Sequence, residues 1–294
     1  MSTLTLSRAK RSERSHSPRR NADYIRAGLW IALFVAMLAW AMPLVFVIFT
    51  SLKSEDQIFS TSSFSFPSSA EWANYAKALQ TGNLLTAGGN SLLIALIKVP
   101  IGLLISAAAA FALSRIKFKY SRALLAAFAM GSMVPIQVAL GPLFRVILDL
   151  GLLNNPIGVI LPYIGFGLPY QIFILYGFFS AVPKEIDESV RVDGGGNWRL
   201  FLQIILPLSK PALAALFILD FVSTWNEYAI ALVILQNKAS QTVPLAIQGF
   251  QSQFTSSYGP LNAFTIMSIL PVVIIYLLFQ RYFVQGTFTG AVKG

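Results

Sequence analysis

The sequence predicts an all-α membrane protein of six transmembrane helices. Hydrophobic residues make up 55% of the 294 residues and charged residues only 12%, about half the charged fraction of a typical soluble domain. The apolar residues form long continuous blocks with no period-2 alternation, which favours helices over the strands of a membrane barrel. Each block is long enough to cross roughly 30 Å of hydrocarbon as a helix.

The apolar blocks divide the chain into three regions. A basic tail, 1–26, is expected to have no fixed structure and to lie in the cytoplasm. The transmembrane domain, 27–285, contains the spans and a long loop at 183–207. A short cytoplasmic tail, 286–294, ends the chain. The predicted spans are 27–50, 89–113, 122–148, 157–180, 208–235 and 262–284.

The distribution of positive charge predicts the orientation. Of the 22 Lys and Arg, only Lys53, Lys77 and Lys238 fall in outer connections, and Lys98 and Arg145 fall within spans. The others lie on the same side as the N-terminus, and cytoplasmic loops are the ones enriched in Lys and Arg. Both termini and the loop 183–207 are therefore predicted to be cytoplasmic, and the basic charge does not indicate nucleic acid.

Several chemistries are excluded by residue content. The chain has no cysteine and one histidine, His16, in the basic tail, so neither a Cys- nor a His-based metal site is expected. It also lacks the GxxxxGK[ST] phosphate loop. We expect no cofactor on this chain, and any ATP and Mg²⁺ would be bound by a partner.

The loop 183–207 has uneven chemistry. Lys184–Asp193 can form a short helix after Pro183, three glycines stop it, and a second amphipathic helix follows. The first helix presents few large side chains, which suits insertion into another protein. The alternative is a pair of interfacial helices that only stabilises the bundle.

The loop resembles the EAA loop of bacterial ABC importer permeases. The matching residues, in order and spacing, are Glu188, Asp193, Gly194, Ile204, Leu206 and Pro207. The pattern departs at Ser189–Val190, where the family usually has two alanines, and at Gly195, where alanine is common. The segments TWNEY (Thr224–Tyr228) and GAVKG (Gly290–Gly294) resemble the smaller, maltose-type permease of carbohydrate importers.

The resemblance implies a type I importer fold with a cytoplasmic coupling helix, in the bacterial plasma membrane. The implied function is ATP-driven import of a sugar, particularly an oligosaccharide, with no enzymatic step on this chain. The implied partners are an ATPase dimer, a second homologous permease and an extracytoplasmic solute-binding protein facing about 236–261. The implied ATPase contacts are Glu188, Ser189, Asp193, Gly194 and Pro207, with the tail residues Gly290, Lys293 and Gly294. The resemblance also implies that the second helix of the loop and its prolines pass the movement of the ATPase to the fifth span.

Polar residues inside predicted spans indicate a solute pathway, because such residues usually face a bundle interior or water. Asp220, Thr224 and Glu227 share one face of the fifth span, and Asn226 lies beside it. Tyr170 and Gln171 end a Gly- and Pro-rich stretch of the fourth span, which indicates either a broken helix that lines a cavity or a packing kink. Pro135 in the third span allows the same two interpretations. In the alternative interpretation, Asp220 and Glu227 pair with Lys98, Arg145 or backbone and only fix the bundle.

Three other functions remain open at this point. One is a membrane receptor or scaffold subunit that transports nothing. A secondary transporter driven by an ion gradient would need no ATPase and could use the intramembrane carboxylates. An ABC permease for amino acids or peptides would share the coupling loop but carry a different solute.

Overall fold

The computed structural model describes residues 18–250 and 257–291, and in this part of the chain it consists of helices and connecting turns. The helices are α1 (Pro18–Ser51), α2 (Glu55–Ser60), α3 (Ala73–Thr81), α4 (Leu84–Arg115), α5 (Ser121–Gly131), α6 (Ile136–Asp149), α7 (Ile157–Ala181), α8 (Glu185–Val192), α9 (Asn197–Arg199), a π-helix (Leu200–Ile205), α10 (Leu206–Leu208), α11 (Lys210–Trp225), α12 (Ala229–Ile234), α13 (Val243–Ala246), a 3₁₀-helix (Ile247–Phe250) and α14 (Tyr258–Ala291).

Within the described residues, four helices are long and apolar enough to span a membrane: α1, α4, α7 and α14. The count rises to six if two bent pairs each form one span. These pairs are α5 with α6, bent by 94°, and the segment Asn197–Leu208 with α11, bent by 72°. The all-helical fold is as expected, while the count of six spans stays a prediction.

Two predicted spans are broken. The third, 122–148, bends after Gly131, before Pro135, which precedes α6 with extended backbone. Proline disfavours helical backbone at the residue before it. The fifth, 208–235, is interrupted between Trp225 and Ala229. The bend in the third span lies beside Pro135, where a break or a kink was one expectation, whereas the expectation of one continuous helix for the fifth span was wrong.

The first helix, up to Phe46, belongs to a separate compact unit. It begins at Pro18, so residues 18–26, which we expected to lie in an unstructured tail, are helical. Residues 1–17 lie outside the described part. Its apolar side chains are largely exposed, Trp40 to 86%, as suits a helix whose solvent is lipid.

The second unit, from Val47 onward, packs around α4, α7 and α11. One buried cluster joins these helices to α8, the π-helix and α14, and a second joins α4 and α7 to α6 and α12. Ser106 on α4 donates a 2.8 Å hydrogen bond to Gln171 on α7 inside this packing. The two helices therefore share polar as well as apolar contacts.

The segment 236–250, in the last predicted outer connection, is packed rather than freely exposed. Val243, Leu245 and Phe250 are buried. Asn90 on α4 donates its amide to the carbonyl oxygens of Ala239 and Gln241, at 2.9 and 3.0 Å. This connection is thus fixed against α4, and its residues 251–256 lie outside the described part.

Candidate coupling surface and transport cavity

The short helix α8 has well-defined ends. Glu185, Asp187 and Glu188 occupy its first turn and Arg191 its last, which suits the helix dipole. At its C-terminus Gly194 has φ of +73°. Gly195 N–H bonds to the Val190 carbonyl at 2.8 Å and Gly194 N–H to the Arg191 carbonyl at 3.0 Å. This is a Schellman cap, and it needs a left-handed residue at Gly194.

One face of α8 is exposed and the other is buried. Glu188, Ser189, Asp193 and Gly194, four of the predicted coupling residues, are all exposed. Val190 is 8% exposed and belongs to the same buried cluster as Phe201 and Phe179. The departure from the family pattern at residue 190 therefore faces the protein's own core.

The fifth predicted coupling residue, Pro207, lies on α10. It follows the π-helix, in which Leu206 N–H bonds to the Phe201 carbonyl, five residues back. Proline has no N–H to continue an α-helical ladder, and π-turns of this kind occur where the ladder is disturbed. Pro207 is exposed and lines an apolar groove with Leu206 and Lys210.

A buried arginine fastens α8 to the bundle. Arg115, the last residue of α4, forms an ion pair with Asp187 at 3.1 Å. Its other terminal nitrogen donates to the carbonyl oxygens of Phe179, at 2.7 Å, and Val182, at 2.8 Å. The side chains of Arg115 and Asp187 are 3% and 13% exposed. Sequence reasoning counted Arg115 only as an orientation charge, because nothing local pairs it with a residue 72 positions away.

Several predicted pathway residues border one cavity of about 440 Å³. Asp220, Thr224, Glu227 and Tyr170 all line it. Gln171 is 1% exposed and bonds to Ser106 behind it. The structure thus brings four of the six predicted pathway residues together.

Lys98 on α4 and Tyr163 on α7 also line this cavity. Lys98 forms an ion pair with Asp220, and both side chains are buried, 4% and 8% exposed. This was the alternative pairing considered for Asp220. The second Asp220 oxygen and the Thr224 hydroxyl, one turn apart, have no hydrogen-bond partner among the described residues.

Glu227 stabilises the interruption between α11 and α12, which breaks the fifth predicted span. Its carboxylate accepts the backbone N–H groups of Ile230, at 2.8 Å, and Ala231, at 3.1 Å. Tyr163 also donates its hydroxyl to this carboxylate. A carboxylate satisfies the free N–H groups at a helix start, so Glu227 fixes the beginning of α12 while still bordering the cavity.

Asn226 faces elsewhere. Its amide donates to the Val222 carbonyl at 2.9 Å. It borders a separate cavity of about 250 Å³, formed with Trp225, α13 and α14. The neighbouring residues Asn226 and Glu227 therefore border different cavities.

The predicted tail contacts are only partly described. Gly290 lies within α14, which continues to Ala291, so most of the expected tail 286–294 is helical. Lys293 and Gly294 lie outside the described part. Across residues 18–250 and 257–291, no group of three or more His, Cys, Asp or Glu side chains is placed to hold a metal ion.

Comparison with known proteins identifies the family. Residues 98–289 match the model of the "Binding-protein-dependent transport system inner membrane component" family. The chain belongs to this family, and it is a multi-pass transport component of the bacterial plasma membrane rather than an enzyme.

Curated relatives align along nearly the whole chain. The probable ABC transporter permease protein YurM of Bacillus subtilis is 34% identical over 94% of this chain and 92% of its own length. The diacetylchitobiose uptake system permease protein DasC of Streptomyces coelicolor is 32% identical over 90% and 95%. These names favour an ATP-driven permease over the ion-gradient alternative.

A solved structure shares the fold. One chain of a bacterial ABC transporter involved in the import of the acidic polysaccharide alginate superposes with a TM-score of 0.76. It is 23% identical in sequence, and the match covers 91% of this chain and 99% of that one. The all-helical architecture is therefore that of an ABC importer permease.

Proposed function

We propose that this chain is the permease subunit of an ATP-driven sugar importer whose solute is an oligosaccharide. Family membership supports import, and the relative DasC, named for uptake of a disaccharide, supports the solute class. The chain carries no phosphate loop, so ATP and Mg²⁺ belong on a separate ATPase dimer.

The observation that carries the proposal is the anchored, half-exposed helix α8. Its outer face presents Glu188, Ser189 and Asp193 to a partner. Its inner face is held to α4 and α7 through Arg115. Such a helix moves with the bundle when a partner pulls on it, and rigid-body movement is the usual route to alternating access. In this proposal α8 docks on the ATPase.

The cavity between α4, α7 and α11 is the proposed solute pathway. Asp220, Thr224 and Glu227 supply carboxylates and a hydroxyl, and Tyr170 supplies a partly exposed ring. Sugar hydroxyls bind such groups by hydrogen bonds, and aromatic faces pack against sugar rings. Asn226 and Gln171, which lie outside this cavity, would act through neighbouring elements.

The remaining assembly follows from the orientation by positive charge. Six spans with both termini in the cytoplasm place α8 and the end of α14, with Gly290, Lys293 and Gly294, on the ATPase side. A second, homologous permease completes the pore, and the family description implies a binding protein that delivers solute.

Crosslinking tests the docking surface. The chain has no cysteine, so Ser189→Cys provides a single exposed thiol on α8. We expect this thiol to capture the ATPase subunit in the assembled importer. Ser69→Cys, exposed on the outer segment, is the matched control and should not capture it. Failure of Ser189→Cys with a spacer-length series of reagents would refute docking through α8.

Transport measurements test the solute. Proteoliposomes that contain the full importer should take up labelled oligosaccharides with internal ATP and no ion gradient. A panel that includes amino acids and peptides separates the sugar proposal from the non-sugar alternative. Uptake that required an ion gradient and ignored ATP would contradict the proposal.

A further inference from the structure

A third cavity, of about 390 Å³, lies beside α8 and differs from the transport cavity in its charge. It is formed by the end of α4, the α4–α5 connection, the start of α5, and the side of α8 that carries Asp187, Glu188 and Arg191, with Lys184 just before it. Its free cations are Lys117, Arg122, Lys184 and Arg191. The cavity therefore sits where three separate elements meet on the predicted cytoplasmic side.

The charges lining this cavity are unbalanced. Arg115 and Asp187 also border it, but they neutralise each other. Within residues 18–250 and 257–291, none of the four free cations has a carboxylate partner within ion-pair distance. Glu188 is the remaining acid in the lining. The positive charges in such a cluster repel one another, and a bound anion would offset this repulsion.

Two further features favour an anion. The Nε of Arg115 is buried and has no hydrogen-bond partner among the described residues, and Arg115 is one of the residues that line the cavity. The N-terminus of α5 has no side-chain cap, and although the Ser121 N–H bonds to the Phe118 carbonyl at 3.3 Å, the Arg122 N–H has no such bond within the described part of the chain. Free N–H groups at a helix start attract phosphate. Both groups lie in the cavity lining.

The surroundings indicate that the anion belongs to a lipid. Phe118 and Tyr120, in the same connection, are 39% and 62% exposed, and aromatic residues concentrate at the membrane–water boundary. Beyond Arg122, α5 exposes apolar side chains, Leu124 to 45% and Met130 to 63%. An acyl chain lying along α5 would place its headgroup at the cations.

We propose that this cavity binds the phosphate headgroup of an acidic phospholipid of the inner leaflet. The proposal uses the orientation given under the proposed function, with this surface in the cytoplasmic leaflet. Lys184 directly precedes α8 and Arg191 lies in its last turn, whereas Lys117 and Arg122 come from the α4–α5 region. A phosphate between them would join α8 to α5, beside the bond that Arg115 already makes to α4 and α7.

Lipid retention by the intact importer tests the site. The purified complex is placed in nanodiscs of phosphatidylcholine with or without phosphatidylglycerol, and the bound lipid is counted by native mass spectrometry. Each juxtamembrane cation contributes about fivefold in affinity for an acidic lipid. Arg122→Gln and Lys184→Gln should each lower phosphatidylglycerol retention by about that factor, and together by about 25-fold.

Lys119→Gln is the matched control, because Lys119 lies in the same connection but outside the cavity lining. Retention that falls equally in the control and the two cavity variants would overturn the proposal, since it would indicate general surface charge. So would unchanged retention in the double variant accompanied by loss of the ATPase subunit, which would show that the cavity receives that subunit. Displacement of the lipid by inorganic phosphate would assign the site to the free anion and overturn the lipid assignment.

The measurement needs neither solute nor nucleotide, and the nanodisc carries the lipid in both leaflets. A failure of the sugar proposal or of the orientation therefore leaves this result interpretable. Melting temperatures of the variants should match the wild type in phosphatidylcholine, which separates loss of the site from loss of folding.

Discussion

The close packing of Gly195 against Val190 at the C-terminal cap of α8 predicts how substitutions at these two residues change stability. A Cβ at Gly195 would lie 2.6 Å from the Val190 Cγ1 atom, 2.9 Å from the Val190 carbonyl oxygen and 3.0 Å from the Arg199 Cδ atom. The family usually has alanine at the position of Val190. The larger valine here fills the space that the methyl group of an alanine at residue 195 would need. Gly195→Ala should destabilise the chain by about 1–3 kcal/mol through overpacking.

The reciprocal change is also unfavourable alone. Val190→Ala removes two methyl groups from a site that is 8% exposed, which should destabilise by about 1–2 kcal/mol. In the double variant the Cγ1 clash disappears while the carbonyl contact remains. We expect the double variant to be less destabilised than the sum of the single variants by about 0.5–1 kcal/mol or more.

The assay is unfolding of the purified importer in detergent, followed together with co-purification of the ATPase subunit. Gly196→Ala is the control, because no atom lies within 4 Å of its Cβ position and its φ is −90°; it should change stability by less than about 0.5 kcal/mol. Additive effects of Val190→Ala and Gly195→Ala, or a neutral Gly195→Ala, would refute the packing argument.

Three further predictions concern polar contacts. Asp220→Ala should lower the free energy of unfolding by about 3–5 kcal/mol, because it leaves buried Lys98 unpaired. The double variant Lys98→Met with Asp220→Leu should recover much of that stability. Equal losses of stability in the two variants would contradict a buried ion pair. Thr224→Val should leave unfolding nearly unchanged, because the hydroxyl has no hydrogen-bond partner within residues 18–250 and 257–291, but raise the KM for solute uptake; an unchanged KM would remove Thr224 from the pathway. Arg115→Lys should lower uptake more than ATPase activity, because one ammonium cannot replace bonds to both Asp187 and two carbonyls; equal losses would argue against a coupling role.

Local chemistry explains what could be predicted from the sequence. The stop of α8 at Gly194 was predictable, because a left-handed residue after a short amphipathic helix is a local requirement. The long apolar helices were predictable for the same reason, since hydrocarbon requires continuous apolar segments. The bend before α6 was predictable too, because Pro135 disfavours helical backbone at the residue before it.

Tertiary partners explain what could not be predicted. Glu227 looked like a pathway carboxylate because it shares a helical face with Asp220, but the face ends where the helix breaks. Its hydrogen bonds to α12 and to Tyr163 depend on the interruption between α11 and α12, which no local sequence pattern predicts. The Arg115–Asp187 pair likewise joins residues far apart in sequence, and no local pattern distinguishes Arg115 from the neighbouring orientation charges.

The anchoring by Arg115 changes the route by which movement would enter the bundle. The sequence suggested transmission through the second helix and Pro207 into the fifth span. In the structure α8 is also tied to the ends of α4 and α7. Lys98 lies 17 residues before Arg115 on α4, about 25 Å from it at 1.5 Å per residue. A packed helix moves as a unit over that length.

We infer that α4 and α7 carry the displacement of α8 to the transport cavity. There the bond between Lys98 and Asp220 joins α4 to α11, and the bond from Tyr163 to Glu227 joins α7 to the break after α11. Both bonds resist sliding of α4 and α7 against α11, so one of them must change when the cavity changes its access. Lys98→Cys paired with Asp220→Cys should therefore crosslink to different extents in the nucleotide-free and ATP-bound importer. Equal crosslinking in the two states, together with equal crosslinking between Tyr163→Cys and Glu227→Cys, would show that movement bypasses this pair of contacts.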